Sequence, residues 1–311
     1  MTVSNRTVAY LGPRASFAEA AVLQWSGSSG AELLPSVSVT AALDAVRGDA
    51  VDHAVVPIEN SVEGSVSATL DELASGQRLV IVDEVVLPVQ FALVAPPSIT
   101  MDQISRIATH PHAQAQVRGW LAQHMPDVAV VPAMSTAAAA AALLEEPAAF
   151  DAAICQRTAA DVYGLQVLAD EIADTSDATT RFVVVRKPGS IPQRSGADKT
   201  TLSLFMHQDQ PGALLKILTE FAVRGVNMTR IESRPTKKAL GDYYFSVDIE
   251  GHVADARIAE AMMGLHRVCL DVRYLGSYPR HDGKQAVLSS GVSDEEFAQA
   301  RSWWDRLKEN G

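Results

Sequence analysis

From residue 7 to about 187, short β-branched runs alternate with alanine-rich stretches of helical period, the pattern of an α/β architecture built on parallel sheet. Residues 8–11 predict an opening strand, Gly12-Pro13 a turn, and Ser16 an N-cap for a helix running to Trp25. A strand near Leu33, a helix over 39–46 and a strand over 53–57 follow. Val62, Val66, Leu70 and Leu73 then recur at helical spacing, predicting a helix over 62–73 with Glu59-Asn60-Ser61 at its N-terminus. Later, Ser135-Thr136, an alanine helix and Asp151-Ala-Ala-Ile-Cys155 echo Val39-Thr40, its helix and Asp52-His-Ala-Val-Val56. The echo suits two related lobes, and equally suits any two βα units. Residues 79–94, two strand-like runs broken at Pro88, suit a crossing between lobes, with 182–185 returning to the first.

Residues 187–199 are rich in Pro, Gly, Ser and charge and read as a linker. Beyond them the period changes. Strand 200–206, helix 211–223, strands 227–233 and 243–249, helix 254–268 and strand 272–277 give the order βαββαβ of a ferredoxin-like sandwich. A capping box at Ser293 and Glu296, followed by Phe297, Ala300, Trp304 and Leu307 on one face, predicts a final docked helix.

Charge and composition narrow the function. A formal charge of −11 and the lack of a basic patch argue against nucleic acid and acidic membranes as partners. They leave room for a small anion in a cleft. Cys155 and Cys269, far apart among apolar neighbours, read as buried thiols in a reducing compartment. The His residues show no paired ligand spacing, so no metal or other cofactor is expected. The polar start, 1–7, and the absence of a run of about twenty apolar residues predict a cytoplasmic protein.

Two segments carry candidate chemistry. Pro57-Ile-Glu-Asn-Ser-Val-Glu-Gly64 sets polar side chains and free amides at a strand end, where open α/β sheets bind anions, although an ordinary capped helix has the same look. Thr179-Thr180-Arg181-Phe182 opens a strand, where threonine is usually filler. Together with Tyr10-Leu-Gly-Pro-Arg-Ala-Ser-Phe17 and Thr109-His-Pro-His112, in this order, they resemble the prephenate dehydratases over nearly the whole chain. Gly212-Ala-Leu-Leu215 and Glu232-Ser-Arg-Pro235 resemble the phenylalanine-binding ACT domains. The chain departs from the commoner family pattern at Ala15-Ser16, His112 and Ala178.

The resemblance implies a catalytic region of two α/β lobes, like a type II periplasmic binding protein, over 6–188. A linker over 189–199, an ACT regulatory domain over 200–278 and a tail over 279–311 follow. It implies Thr180 as the catalytic residue, with Ser16, Asn60, Ser61, Arg181 and Phe182 near substrate and Glu59 and His110 in support. Arg181 suits a substrate carboxylate through its planar fork, or a salt bridge between lobes. For the effector it implies L-phenylalanine, with Gly212, Ala213 and Leu214 approaching its carboxylate and Glu232, Ser233 and Arg234 nearby, in a homodimer or homotetramer. Arogenate dehydratase is the alternative enzyme, and a solute-binding or amino-acid sensor the alternative outside enzymes.

Overall fold

The computed structural model describes residues 6–145, 147–207, 211–237 and 242–310; of the polar start, residues 1–5 lie outside that range. The first sheet is built from β1 (Thr7–Leu11), β2 (Glu32–Ser36), β3 (His53–Asn60), the short β4 (Gly64–Ser65), β5 (Val80–Pro88) and the late β11 (Thr179–Arg186). Its helices are α1 (Phe17–Gln24), α2 (Val39–Arg47) and α3 (Ser67–Ala74). The second sheet has β6 (Ala92–Ala95), β7 (Arg106–Thr109), β8 (Ala129–Pro132), β9 (Ala152–Cys155) and β10 (Gln166–Ala169), with α4 (Pro111–Gln116), α5 (Arg118–His124), α6 (Thr136–Ala142) and α7 (Thr158–Tyr163).

The strand orders β2-β1-β3-β11-β5 and β8-β7-β9-β6-β10 correspond position by position, so the echo reports two related lobes. Their details agree. Ser38 and Ser135 cap α2 and α6 from the same extended conformation, φ −155 in both. Asp52 accepts from Thr7 N at 2.8 Å and Asp151 from Ser105 N at 2.9 Å, each carboxylate clamping the strand that runs beside its own. The central strands are almost wholly buried, as in β9 with every residue inside, because sheets covered on both faces are read as continuous apolar runs. As expected, β5 belongs to the first sheet and β6 to the second, and β11 brings the chain back.

The expected helix over 62–73 is shorter. β3 runs on through Asn60, whose Oδ1 accepts from Val62 N at 2.8 Å and Glu63 N at 2.9 Å, closing a turn that sends β4 back along β3. Local side-chain bonding of this kind competes with helix formation, and α3 starts only at Ser67. The Pro57–Gly64 motif therefore sits in a hairpin and not at a helix N-terminus.

The third sheet contains β12 (Asp198–Phe205), β13 (Met228–Pro235), β14 (Tyr243–Glu250) and β15 (Asp271–Pro279) in the antiparallel order β13-β14-β12-β15. With α8 (Ala213–Ala222) and α9 (Ala256–Val268) on its apolar face it forms the expected ferredoxin-like sandwich. The final helix, α10 (Asp294–Asn310), keeps the capping box, Glu296 N lying 3.3 Å from Ser293 Oγ and Ser293 N 3.0 Å from Glu296 Oε2. Its first turn is tied to α9 by Asp294, which accepts from Ala256 N at 2.8 Å. The docking expected of its apolar face is incomplete, since Trp303 and Trp304 stay 57% and 55% exposed.

By packing, the chain forms two compact units: one up to Thr69 and over Val85–Val183, the other over Leu70–Glu84 and from Val184 onward. The second unit thus takes in the last turns of α3 and the first half of β5. Gly276, on β15, shows how closely that segment is packed: at φ +138 a Cβ would lie 2.1 Å from the Ile81 carbonyl oxygen, so only glycine fits. Lys199 on β12 adds a buried ion pair with Glu84 at 2.8 Å.

Candidate active site

The end of β3 and the start of β11 are stitched together by Ser61, whose N–H donates to Thr179 O and whose Oγ accepts from Thr179 N, both at 2.9 Å. This stitch sets Asn60 beside Thr180. The Asn60 Nδ2 donates to Thr180 Oγ1 at 2.9 Å. Because the Asn60 Oδ1 already accepts two backbone N–H groups, the amide can face only one way, with its donor toward the threonine. A hydroxyl whose oxygen accepts that bond keeps its own proton for another acceptor. Thr180 is 9% exposed and opens onto a cavity of about 290 Å³.

Strand ends and helix starts line this cavity. Leu11, Phe17, Val89, Phe91 and Phe182 form an apolar wall, with Phe17 and Phe91 edge to face at 5.8 Å between centroids. Opposed to it are Ser16, Asn60, His110, Gln116, Ser135, Thr136 and Thr180. Ser16 caps α1, donating to Leu11 O at 2.9 Å and accepting from Glu19 N at 3.3 Å. The His110 Nδ1 accepts from His112 N at 3.2 Å at the start of α4, and Ser135 accepts from Ala138 N at 3.0 Å at the start of α6. The lining residues include no Lys or Arg. Attraction for an anion therefore comes from first-turn amides and neutral donors. Burial holds the His110 imidazole below its ordinary pKa, the neighbouring His112 adds to this, and Glu63 opposes it, so the ring is neutral at pH 7.

Of the residues expected near substrate, Ser16, Asn60, Thr180, Phe182 and His110 meet at this cavity. The structure sets three others elsewhere. Side chains alternate along β11, so with Thr180 and Phe182 turned to the cavity, Arg181 points to the other face and lies 3.3 Å from Glu59. Glu59 accordingly pairs with Arg181, and Ser61 is engaged in the strand stitch. Sequence reasoning missed Phe91, Gln116, Ser135 and Thr136. Ser135-Thr136 stood out only as a repeat of the first lobe, and its correspondence to a helix start facing the cleft was the signal available.

The other expected site lies in the second unit. Gly212 has φ +83 and opens α8, with nothing within 4 Å of a Cβ placed there, so the backbone of Ala213 and Leu214 is approachable. Glu232, Ser233 and Arg234 lie on β13, the edge strand. Arg234 reaches Asp71 on α3, with Nε and a terminal nitrogen at 3.2 and 3.1 Å from its two oxygens. The Tyr244 hydroxyl at 3.1 Å and Lys237 Nζ at 2.7 Å complete the set around the same carboxylate. Burial opposes ionisation of Asp71, but the bonds from Arg234 and Lys237 outweigh it and hold the carboxyl below its ordinary range.

Comparison with known proteins adds the following. The profile described as prephenate dehydratase matches residues 8–190, and that described as the ACT domain matches 200–267. The chain is 47% identical over 310 residues to a protein named prephenate dehydratase from Mycobacterium marinum, covering 97% of this chain and 96% of that one. It is 45% identical over 297 residues to one of the same name from Amycolatopsis methanolica, covering 95% and 96%. A crystal structure of prephenate dehydratase from Arthrobacter aurescens in complex with L-Phe superposes with a TM-score of 0.93 at 49% identity, covering 97% of this chain and 99% of that one.

Proposed function

This chain belongs to the prephenate dehydratase family, and from that premise we propose how its cavity turns prephenate into phenylpyruvate. Prephenate must lose carbon dioxide and its ring hydroxyl, and the aromatic ring that forms supplies the driving force. The protein's task is to hold two carboxylates, fix the ring and stabilise the departing oxygen, which positioning and preorganised donors accomplish. Phe17, Phe91 and Phe182 fit the ring, and the first turn of α1 with the hydroxyl groups beside it fits a carboxylate. Thr180 then donates its proton along the lengthening carbon–oxygen bond. A threonine hydroxyl is a weak acid, so full transfer waits until the leaving oxygen has the basicity of hydroxide. The observation that carries this reading is the Asn60–Thr180 bond, which leaves the Thr180 proton as the donor. In this scheme Arg181 and Glu59 stiffen the β3–β11 pair. No metal enters it: among the described residues no three His, Cys, Asp or Glu side chains gather as a metal site.

Residues 6–188 carry catalysis and 200–278 regulation in this reading, joined by the linker over 189–199, with the tail over 279–311 as a buttress. L-phenylalanine is the effector, held by Gly212, Ala213 and Leu214 together with Glu232, Ser233 and Arg234. The L-Phe complex of the Arthrobacter relative supports this. A homodimer or homotetramer is the expected assembly. The unpaired outer edge of β13 and the 43% exposed Ile231 on it favour pairing there. The buried free thiols and the net charge of −11 suit a cytoplasmic enzyme without nucleic-acid partners.

The decisive assay offers the purified protein prephenate and arogenate and follows phenylpyruvate and phenylalanine, in the presence and absence of a chelator. Thr180→Val, which keeps the shape and removes the hydroxyl, is expected to lower kcat at least about a hundredfold, or about 2.7 kcal/mol. Near-normal turnover of that variant, with folding intact, would overturn the role given to Thr180.

A further inference from the structure

The short helix α3 is held at both ends by different parts of the molecule. At its start, Val66 N donates to Ile58 O at 2.9 Å and the Thr69 hydroxyl donates to Pro57 O, so the first turn is fastened to the two residues that precede Glu59-Asn60 on β3. At its end, Asp71 is gripped by Arg234, Tyr244 and Lys237. Arg273 on β15 donates to the carbonyls of Leu73, Ser75 and Gly76 at 3.2, 2.7 and 3.1 Å. A guanidinium at a helix C-terminus satisfies the carbonyls that the helix itself leaves open. Leu70 and Leu73, both buried, stop the helix from rolling in place. At 1.5 Å per residue α3 is about 12 Å long, too short to bend under modest load. Its first residues belong to the unit that holds Thr180, its last to the unit that holds Arg234.

We propose that Asp71 is a positioning residue for the dehydratase reaction, coupling the state of the Glu232–Arg234 effector strand through α3 to the Asn60–Thr180 bond. The proposal rests on the effector reading above and deepens it. An effector changes activity only by binding two arrangements of the protein unequally. Arg234 belongs to the motif expected to meet phenylalanine and also holds Asp71, so a change in how Arg234 is engaged changes what α3 is anchored to. A shift of a few tenths of an ångström at Pro57 and Ile58 is enough to lengthen the 2.9 Å Asn60–Thr180 bond and loosen the hydroxyl. Asp71 does not line the catalytic cavity, and neither Gly212 nor Glu232 bonds to it.

The test uses the full chain with Asp71→Asn and Asp71→Glu, measuring prephenate turnover with and without L-phenylalanine and phenylalanine binding by calorimetry. Asp71→Asn is expected to bind phenylalanine within about tenfold of the unaltered protein and to keep basal kcat within about threefold. Its inhibition at saturating phenylalanine should fall at least about tenfold, and bound prephenate should no longer alter phenylalanine affinity, because coupling is reciprocal. Asp71→Glu restores the carboxylate and should recover most of the inhibition. Full inhibition in Asp71→Asn would overturn the proposal, and so would loss of phenylalanine binding, which would make Asp71 part of the effector site. If Asp71→Asn fails to fold, Tyr244→Phe decides, since it removes one bond to the same carboxylate: weakened inhibition with binding kept supports the relay, and unchanged inhibition overturns it. An unaltered enzyme that turns over prephenate but ignores phenylalanine would remove the effector reading itself, which is a different failure.

Discussion

Asn60→Asp isolates the hydrogen-bond direction on which the mechanism depends. The substitution is nearly isosteric, and the Asp oxygen in place of Oδ1 still accepts from Val62 N and Glu63 N, now as charge-assisted bonds. The second oxygen replaces the Nδ2 that lies 2.9 Å from Thr180 Oγ1. A carboxylate cannot donate, so Thr180 must turn its own proton toward residue 60 and away from the cavity. One preorganised donor at a developing oxyanion is worth about 2.7–4 kcal/mol, or about 10²–10³ in kcat. The negative charge brought close to a dianionic substrate adds to the loss. The turn keeps both of its bonds, so the melting temperature should stay within about 2 °C, less than 1 kcal/mol for a chain of this size. Turnover measured from phenylpyruvate absorbance, beside a thermal melt, separates the two effects. A kcat within threefold of the unaltered enzyme would refute the argument, and parallel loss of activity and stability would make Asn60 a structural residue.

Gly276→Ala should lower stability by at least about 2 kcal/mol, because the new Cβ meets the Ile81 carbonyl at 2.1 Å and φ is +138; an unchanged melting temperature would count against the packing described. Burial pushes the Cys155 thiol up to about 12 and the Cys269 thiol up to about 11, so neither should react with an aromatic disulfide reagent at pH 8 until denaturant is added, and quick labelling of the native protein would contradict their placement. The folded-state pKa of His110 lies below the unfolded value near 6.5. Its contribution to stability is therefore present above that value and lost as pH falls through the lowered pKa, where a protonated Nδ1 can no longer cap α4. Activity should show an acid limb below about pH 6 that His110→Asn, which keeps a capping acceptor, weakens; an identical limb in that variant would clear His110.

What the sequence made legible was the part governed by local rules. The caps at Ser16 and Ser293, the βαββαβ order and the pairing of lobes through Asp52 and Asp151 all follow from short-range pattern, and the structure has each of them. The Pro57–Gly64 segment shows where periodicity misleads. Val62 matched the helical spacing of Val66, Leu70 and Leu73 but is 48% exposed in the hairpin turn, because the Asn60 side chain offered those amides a bond that the helix would not. The direction of Arg181 was readable by counting alternate positions from Thr180, and the appeal of a guanidinium near an anion obscured it. Phe91 and Gln116 reach the cavity only through the crossing of the chain between sheets, which no local pattern announces.

The placement of Leu70–Glu84 within the second compact unit has a consequence for inheritance. A regulatory domain appended by gene fusion would ordinarily be free to drift, or to be exchanged for another, provided its own core survived. Here Asp71 answers to Arg234, Glu84 to Lys199 and Ile81 to the missing side chain of Gly276, each pair split across more than a hundred positions of sequence. A change on either side leaves a buried charge or a clash on the other, so these positions are expected to vary together or not at all. A chimaera that joined this catalytic region to a foreign regulatory domain at the linker would carry half of each pair, and would have to import residues 70–84 along with it.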